Sequence, residues 1–302
     1  MTVTKKIFLM VDKLFFKAQN PPKLTAEAEK GLHIERDIPF SDNYPDQKTD
    51  ILFKERRDGE KYPVVFHIHG GGFSAGDKKY RNYLCYRIAH ETGAFVVNVN
   101  HPLGPEVTFP EPLRCLVEAF NWVIKNAEKY NLDTNKMLVT GDSSGAYYAA
   151  MLCVTQDNEK LQSLYGKMNG RFSFAAYNCG LYDLNMSLSH RLPFGLTTGV
   201  CVDISGRKPK DLASWEYMPY CSPIDFVTEK HPASYVVYAK KDFFCKGQAE
   251  TLVEKLHACG VPVSSYNSVS FWNNHAFSIN NHNKTAKEAL CGMLDFMKKS
   301  LE

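Results

Sequence analysis

Short apolar runs rich in β-branched and aromatic residues recur along this chain, with helix-period segments between them. The runs fall at residues 64–68, 95–99, 137–140, 174–177 and 235–238, with a weaker one at 263–266. Strands that are apolar throughout are buried on both faces, and an intervening helix is what lets successive strands lie parallel. The alternation predicts an α/β fold, a mostly parallel central sheet with helices on both faces. The clearest helix begins at Glu111, where Pro112 suits a first turn. It runs to about Tyr130, with Leu113, Leu116, Val117, Phe120, Val123, Ile124 and Ala127 on one stripe. Two others carry Ala249, Leu252, Val253 and Leu256, ended by Gly260, and Ala286, Leu290, Leu294 and Met297 near the C-terminus. Ahead of the parallel strands, HIERDIPF and DILFKERRDGEKYPVVF alternate in polarity and share an Asp58-Gly59 turn, which predicts antiparallel edge strands.

Residues 181–220 break the rhythm. They hold no clear strand, and so long a connection in a compact domain is usually a lid or cap. No Gly/Ser-rich or Pro-rich linker divides the 302 residues, so one main domain with an insertion is expected. The N-terminal KKIFLMVDKLFFKAQN begins like a signal peptide, but Asp12 and Lys13 interrupt its apolar run. It reads as an amphipathic helix whose Phe8, Val11 and Phe15 pack over the protein's own pocket or core in preference to a membrane. No stretch approaches a transmembrane span, and no stable membrane anchor is expected.

The 36 basic and 33 acidic residues are spread without blocks, for a formal charge of +3, which disfavours a nucleic-acid partner. Nine cysteines, an odd number with no C-x-x-C pair, read as reduced thiols in a cytoplasmic setting, neither a disulfide framework nor a zinc site. A homodimer is left open.

The chemistry concentrates in loops that follow strands. In LVTGDSSGAYY, a G-x-S-x-G pattern centres on Ser143, follows the run at 137–140 and opens a helical segment. That is the setting of a nucleophile held on a strained strand-to-helix elbow at the positive end of a helix dipole. An N-capping serine would look similar. Upstream, FHIHGGGFSAGD places Gly70, Gly71 and Gly72 after the run at 64–68. Three glycines in a row supply bare backbone N–H groups, as the oxyanion of acyl transfer requires. The rival reading, a phosphate loop, lacks its Lys-Ser/Thr. His67 and His69 could suggest a metal pair, yet no acid or cysteine clusters beside them in sequence.

Serine needs a base, and in elbow enzymes the chain order is Ser, then Asp or Glu, then His. AKKDFFCKG puts Asp242 just past the run at 235–238, and SFWNNHAFSI puts His275 past the run at 263–266. Of the other late histidines, His282 in NNHNK reads as a surface residue.

Taken together these residues resemble the hormone-sensitive-lipase-like branch of the α/β-hydrolases, the HGGG-type carboxylesterases. HGGGFSAGD matches the HGGG signature, GDSSGAYYA the G-D-S-A-G elbow, and HACGVPV and NHAF the A-G-V-P-V and H-G-F ends. The similarity runs from about residue 50 to 294. It implies Ser143 as nucleophile, His275 as general base, Asp242 as its orienting acid, and Gly71, Gly72 and Ser144 as backbone oxyanion donors. It also implies a helical cap, assigned here to residues 1–45 and 181–220, over a catalytic domain of residues 46–180 and 221–302. Departures occur at Ser144, where alanine is usual, at His101, Pro102 and Gly104, and at Phe243 and Lys246 after Asp242.

The expected activity is that of a serine carboxylic-ester hydrolase taking small or short-acyl esters through an acyl-enzyme, with no cofactor or metal. Phe73, Tyr147, Tyr182, Phe244 and Trp272 flank the catalytic loops as candidate pocket residues. A deacetylase of acetylated sugars, xenobiotics or aryl amides remains an alternative. A non-catalytic ligand-binding relative is the reading from another class.

Overall fold

The strands, in chain order, are β1 (His33–Pro39), β2 (Lys48–Phe53), β3 (Tyr62–Ile68), β4 (Phe95–Val99), β5 (Leu132–Asp142), β6 (Phe174–Asn178), β7 (Ala233–Ala239) and β8 (Val263–Ser268). In the computed structural model, which describes all residues except Arg57, Asp58, Arg191, Pro193, Phe194, Asn281 and His282, they form one sheet ordered β1-β2-β4-β3-β5-β6-β7-β8. The β2 strand runs antiparallel to both β1 and β4, and every pairing from β4 to β8 is parallel.

The helices are α1 (Val3–Gln19), α2 (Pro22–Glu29), α3 (Asn82–Thr92), α4 (Glu111–Lys125), α5 (Ser144–Thr155), α6 (Glu159–Tyr165), α7 (Leu184–Ser189), α8 (Leu196–Ser205), α9 (Gln248–Ala258) and α10 (Lys284–Leu301). Two buried clusters lie on the two faces of the sheet. One gathers Phe66, Val97 and Val139 with α4 and α5, the other Val65, Val96 and Leu138 with α3 and α10. Strands β3, β4 and the second half of β5 are buried at nearly every position, because both of their faces meet helices.

Three details depart from the sequence reading. The shared-turn hairpin does not form: β4 lies between β2 and β3, so the segment around Gly59 is a crossing connection, and Asp58 itself lies outside the described residues. The α4 helix ends at Lys125, and β5 starts five residues earlier than the apolar run, where Leu132 pairs with Tyr62 across a register shift. Residues 33–39, counted with the cap, form β1 at the sheet edge; the helical part of that segment ends at Glu29.

The chain order reverses between β3 and β5, since β4 is laid on one side of β3 and β5 on the other. Open α/β sheets build their sites at such a switch, beyond the carboxyl ends of the strands. The glycine triplet follows β3 and Ser143 follows β5. Over this crevice lie α1 and the 181–220 segment, which carries α7 and α8. They are fastened together by the Thr2 hydroxyl, which donates to Asp203 Oδ2 on α8 at 2.8 Å. The same oxygen accepts from Ser74 of the glycine loop at 3.0 Å, so α1, α8 and the glycine loop share one buried carboxylate.

Candidate active site

Ser143 stands between β5 and α5 with φ 53° and ψ −121°, left-handed backbone that a side chain adopts only under constraint. Its flanking glycines explain how the turn fits. A Cβ on Gly145 would lie 2.1 Å from the Ile68 carbonyl oxygen, and one on Gly141 would lie 2.5 Å from Gly145 backbone. The elbow therefore presses against the end of β3 and turns the Ser143 hydroxyl out at the N-terminus of α5.

His275 Nε2 lies 2.8 Å from Ser143 Oγ. On the other edge of the ring, Nδ1 lies 2.9 and 3.0 Å from the two oxygens of Asp242. This makes Nδ1 the protonated nitrogen and leaves Nε2 free to accept the serine proton. Burial pushes the imidazole down, but the Asp242 charge and hydrogen bond outweigh it and hold His275 above its ordinary value. Asp242 is 3% exposed, and burial alone would raise it. The His275 charge, with N–H groups of Phe244 and Cys245 donating to Oδ1 at 2.9 and 2.7 Å, brings it below the usual carboxylate range. Asp242 thus stays ionised beside a base that needs it so.

The glycine loop meets the elbow through a buried ion pair that sequence reasoning missed. Arg81, at the start of α3, donates from Nε and a terminal nitrogen to the two oxygens of Asp142, both at 2.6 Å. Asp142 also accepts from the Gly70 N–H at 3.3 Å. Burial would raise the Asp142 carboxyl, and the guanidinium holds it below the usual range. A Cβ on Gly70 would sit 2.4 Å from an Asp142 oxygen, so only glycine lets the loop approach so closely. Gly71 and Gly72 have φ of 137° and 60°. Gly72 and Ser144 border the same cavity as Ser143, and among the described residues neither they nor Gly71 donate their N–H within the chain. These are the donors an oxyanion beside Ser143 would meet. The extra Ser144 hydroxyl is buried and, among the described residues, has no hydrogen-bond partner.

Two cavities adjoin Ser143 and share Phe8, Gly72 and Phe244 in their walls. One, about 60 Å³, is apolar, walled by Phe73, Leu181, Leu184, Leu192, Leu196 and Val200. The other, about 300 Å³, lies toward His275 and is more polar, with Asp12, Gln19, Asn274 and Asn280 around it.

Of the aromatic residues singled out from the sequence, Phe73 and Phe244 line the first cavity. Tyr147 stands behind Phe73, their centroids 5.1 Å apart, and Tyr182 is fully buried against Tyr177. Trp272 is 78% exposed and lines neither cavity. These last three are corrections to the pocket reading. Phe8, from α1, is the wall residue that was missed as such. Its ring would lie 2.3 Å from a Cβ on Gly72, which places the N-terminal helix directly on the glycine loop.

His67 and His69 serve the core. His67 Nδ1 lies 3.0 Å from Asn98 Oδ1, and the His69 ring stacks on His101 with centroids 4.4 Å apart. Burial pushes His67 down to about 4 and His69 well below its ordinary value, so both are neutral. Among the described residues, one group of three potential metal ligands converges, Cys179 with Asp242 and His275. Burial pushes the Cys179 thiol far up, keeping it protonated and poorly suited to ligation. His282 lies outside the described residues. No helix is long and apolar enough to cross a membrane among the described residues.

Residues 65–277 match the family described by the alpha/beta hydrolase fold. Among curated proteins, the versiconal hemiacetal acetate esterase of Dothistroma septosporum is 32% identical over 120 residues, 38% of this chain and 37% of that protein. Esterase LipQ of Mycobacterium tuberculosis is 24% identical over 235 residues, 76% of this chain and 54% of that one. The chain thus spans about half or less of the length of these relatives. Among solved structures, esterase B from Lactobacillus rhamnosus superposes with a TM-score of 0.77 at 18% identity, covering 99% of this chain and 97% of that one. A bacterial heroin esterase does so with 0.78 at 20%, covering 95% and 90%.

Proposed function

The chain belongs to the alpha/beta hydrolase fold family, in its hormone-sensitive-lipase-like carboxylesterase branch, and from that premise we propose that it is a serine carboxylic-ester hydrolase working through an acyl-enzyme. The observation that carries this reading is the continuous chain from Ser143 Oγ to His275 Nε2 and from His275 Nδ1 to Asp242, beside N–H groups with no acceptor of their own. In the reaction, Ser143 attacks the ester carbonyl carbon as its proton passes to His275 Nε2, and Asp242 stabilises the imidazolium. Gly71, Gly72 and Ser144 N–H groups hold the developing oxyanion, each donor being worth about 10²–10³-fold in rate. The leaving alcohol takes the proton from His275. Water, deprotonated by the same nitrogen, then attacks the acyl-serine and regenerates the hydroxyl. Esterase names among the relatives and solved neighbours support the same bond class.

The small apolar compartment beside Ser143 supports a short acyl group, with the alcohol portion directed to the larger, more polar side. The substrate in this reading is a small ester. The test is an aryl-ester series from acetate to laurate with purified protein, run beside Ser143→Ala and an intact-mass measurement after a serine-directed phosphonate. Turnover should peak at short chains, fall roughly 10⁵–10⁶-fold in Ser143→Ala, and be lost with one phosphonate adduct that the variant does not accept. Turnover surviving in Ser143→Ala, or a maximum at laurate, would refute the assignment or its acyl range respectively. An aryl acetamide and an acetylated sugar in the same assay rank the deacetylase alternative.

A further inference from the structure

Among the described residues, every exposed large apolar side chain belongs either to the N-terminal segment that carries α1 and α2 or to the loops that follow β7 and β8. These segments meet at one opening. The 300 Å³ cavity that reaches Ser143 takes Phe15 from α1, Phe243 from the first loop and Asn274 from the second. Beside it, Phe271 and Trp272 stand 71% and 78% exposed.

The α1 helix carries apolar side chains on both sides, Phe8 inward and Met10 and Leu14 outward. Its buried positions are Thr4, Phe8 and Asp12, while Met10 and Leu14, on the opposite side of the wheel, are 64% and 70% exposed. An ordinary surface helix keeps its outward face polar. Lysines share this outward face. Across residues 3–19, 240–247 and 268–275, the exposed charges are Lys6, Lys13, Lys17, Lys240, Lys241 and Lys246, and both acids, Asp12 and Asp242, are buried. A chain whose total charge is only +3 thus carries six exposed cations and no exposed anion in these three stretches, and the exposed acids beside them, Glu27 of α2 and Glu106, are each bridged by a lysine, Lys30 and Lys5.

We propose that this face seats the protein on an anionic lipid bilayer. Leucine, methionine and aromatic side chains enter the headgroup boundary while lysine stems lie along it and carry their ammonium groups to lipid phosphates and carboxylates. A tryptophan at a loop tip suits that boundary, since its ring is apolar and its N–H stays wet. The seat is peripheral, because no described helix is long and apolar enough to cross. A second copy of this chain fits worse. A two-fold contact would set the lysine-bearing patch against itself, and the exposed acids beside it, Glu27 and Glu106, already answer Lys30 and Lys5.

The inference concerns where the protein sits and does not depend on turnover, so its failure leaves the hydrolase reading untouched. The test is co-sedimentation of the full chain with phosphatidylcholine vesicles, with and without phosphatidylserine, alongside tryptophan fluorescence. Of the three tryptophans Trp272 is 78% exposed, Trp122 half-buried and Trp215 4% exposed, so the part of a blue shift that Trp272→Phe removes reports the loop tip. Wild type should bind the phosphatidylserine vesicles more tightly and shift blue. Lys13→Ala with Lys17→Ala should weaken that binding about 25-fold, at about fivefold for each lysine at an anionic surface. Met10→Glu with Leu14→Glu should weaken it at least about tenfold, with circular dichroism and thermal midpoint unchanged. Phe271→Ala with Trp272→Ala, in an exposed loop, serves the same purpose should the helix variant misfold. Wild-type protein left in the supernatant with both vesicle types overturns the proposal. So does a vesicle-free dimer that Met10→Glu with Leu14→Glu dissociates, which would assign the face to a second copy.

Discussion

Replacing Asp12 by Asn should change how stability depends on pH in a direction opposite to that of most buried carboxylates. Asp12 lies on the packed side of α1, 8% exposed, and among the described residues its Oδ2 has no hydrogen-bond partner. The nearby cation, Arg81, already donates twice to Asp142 and once to Gln19. Desolvation outweighs the attraction of Arg81 and the Gly76 backbone N–H, the Asp142 charge adds to it, and the carboxyl is pushed up from 3.8 to about 6. With the folded pKa above the unfolded one, no penalty exists below about pH 4, where both states are protonated. From there to about pH 6 the unfolded chain releases the proton while the folded one keeps it, so stability falls as pH rises. Above about pH 6 the loss is constant, and about 2 units at about 1.4 kcal/mol each give about 3 kcal/mol. An unpaired amide in the variant adds only a pH-independent offset, so the quantity to read is the change in the stability difference between pH 4 and pH 7. The Asp12→Asn variant should gain most of that 3 kcal/mol relative to wild type over this interval. Taking about 2.1 cal/mol/K per residue over 302 residues, the relative gain is about 5 °C in Tm. Urea or thermal unfolding at the two pH values measures it. Parallel pH profiles for wild type and variant would show that Asp12 is ionised at no cost, and the account of its burial would fail.

Two further outcomes test the catalytic reading. Because burial of His275 is outweighed by Asp242, the acid limb of kcat/KM should report a pKa above the ordinary imidazole value, with activity lost as pH falls through it. Asp242→Asn should move that limb to lower pH and cut kcat about 10⁴-fold; an unmoved limb means that another group titrates. Gly72→Ala places a methyl 2.3 Å from the Phe8 ring at φ 60° and should lower kcat about 10²-fold or more. Adding Phe8→Ala relieves the collision but not the backbone strain, so rates measured across the double-mutant cycle should recover only in part. Wild-type kcat in Gly72→Ala would remove this loop from the oxyanion site.

What the sequence disclosed about the site follows from where the chemistry lies. Ser143, Asp242 and His275 each stand in a loop just beyond a strand, and such strands announce themselves as short apolar runs. The runs fix both the fold and the side of the sheet on which those loops gather. Side-chain direction is not encoded so locally. Trp272 stands almost as near His275 in the chain as Phe244 does to Asp242, and Tyr182 follows the end of β6, yet Trp272 turns into solvent and Tyr182 into the core. Arg81 and Asp142, 61 residues apart, carry no mark of their pairing. Their bond depends on the start of α3 meeting the end of β5, which the sheet order β4-β3-β5 brings about.

The α1 helix shows why an amphipathic pattern can be read correctly and still leave a question. Phe8, Val11 and Phe15 form a real inner stripe, and Phe8 and Phe15 contribute to the cavity walls at Ser143. But the same seventeen residues carry Leu9, Met10, Leu14 and Phe16 outward. A 3.6-residue period registers one apolar face per helix, and the second is masked by the lysines between its members. The helix thus touches Gly72 with one face and presents a basic, apolar surface with the other, so changes on the two faces have separable readouts. Phe8 alters kcat through the glycine loop, whereas Met10 and Leu14, with no contact there, alter partition onto lipid alone. Coupled loss of both properties from an outward substitution would mean that α1 shifts as a body, and the two faces could no longer be argued apart.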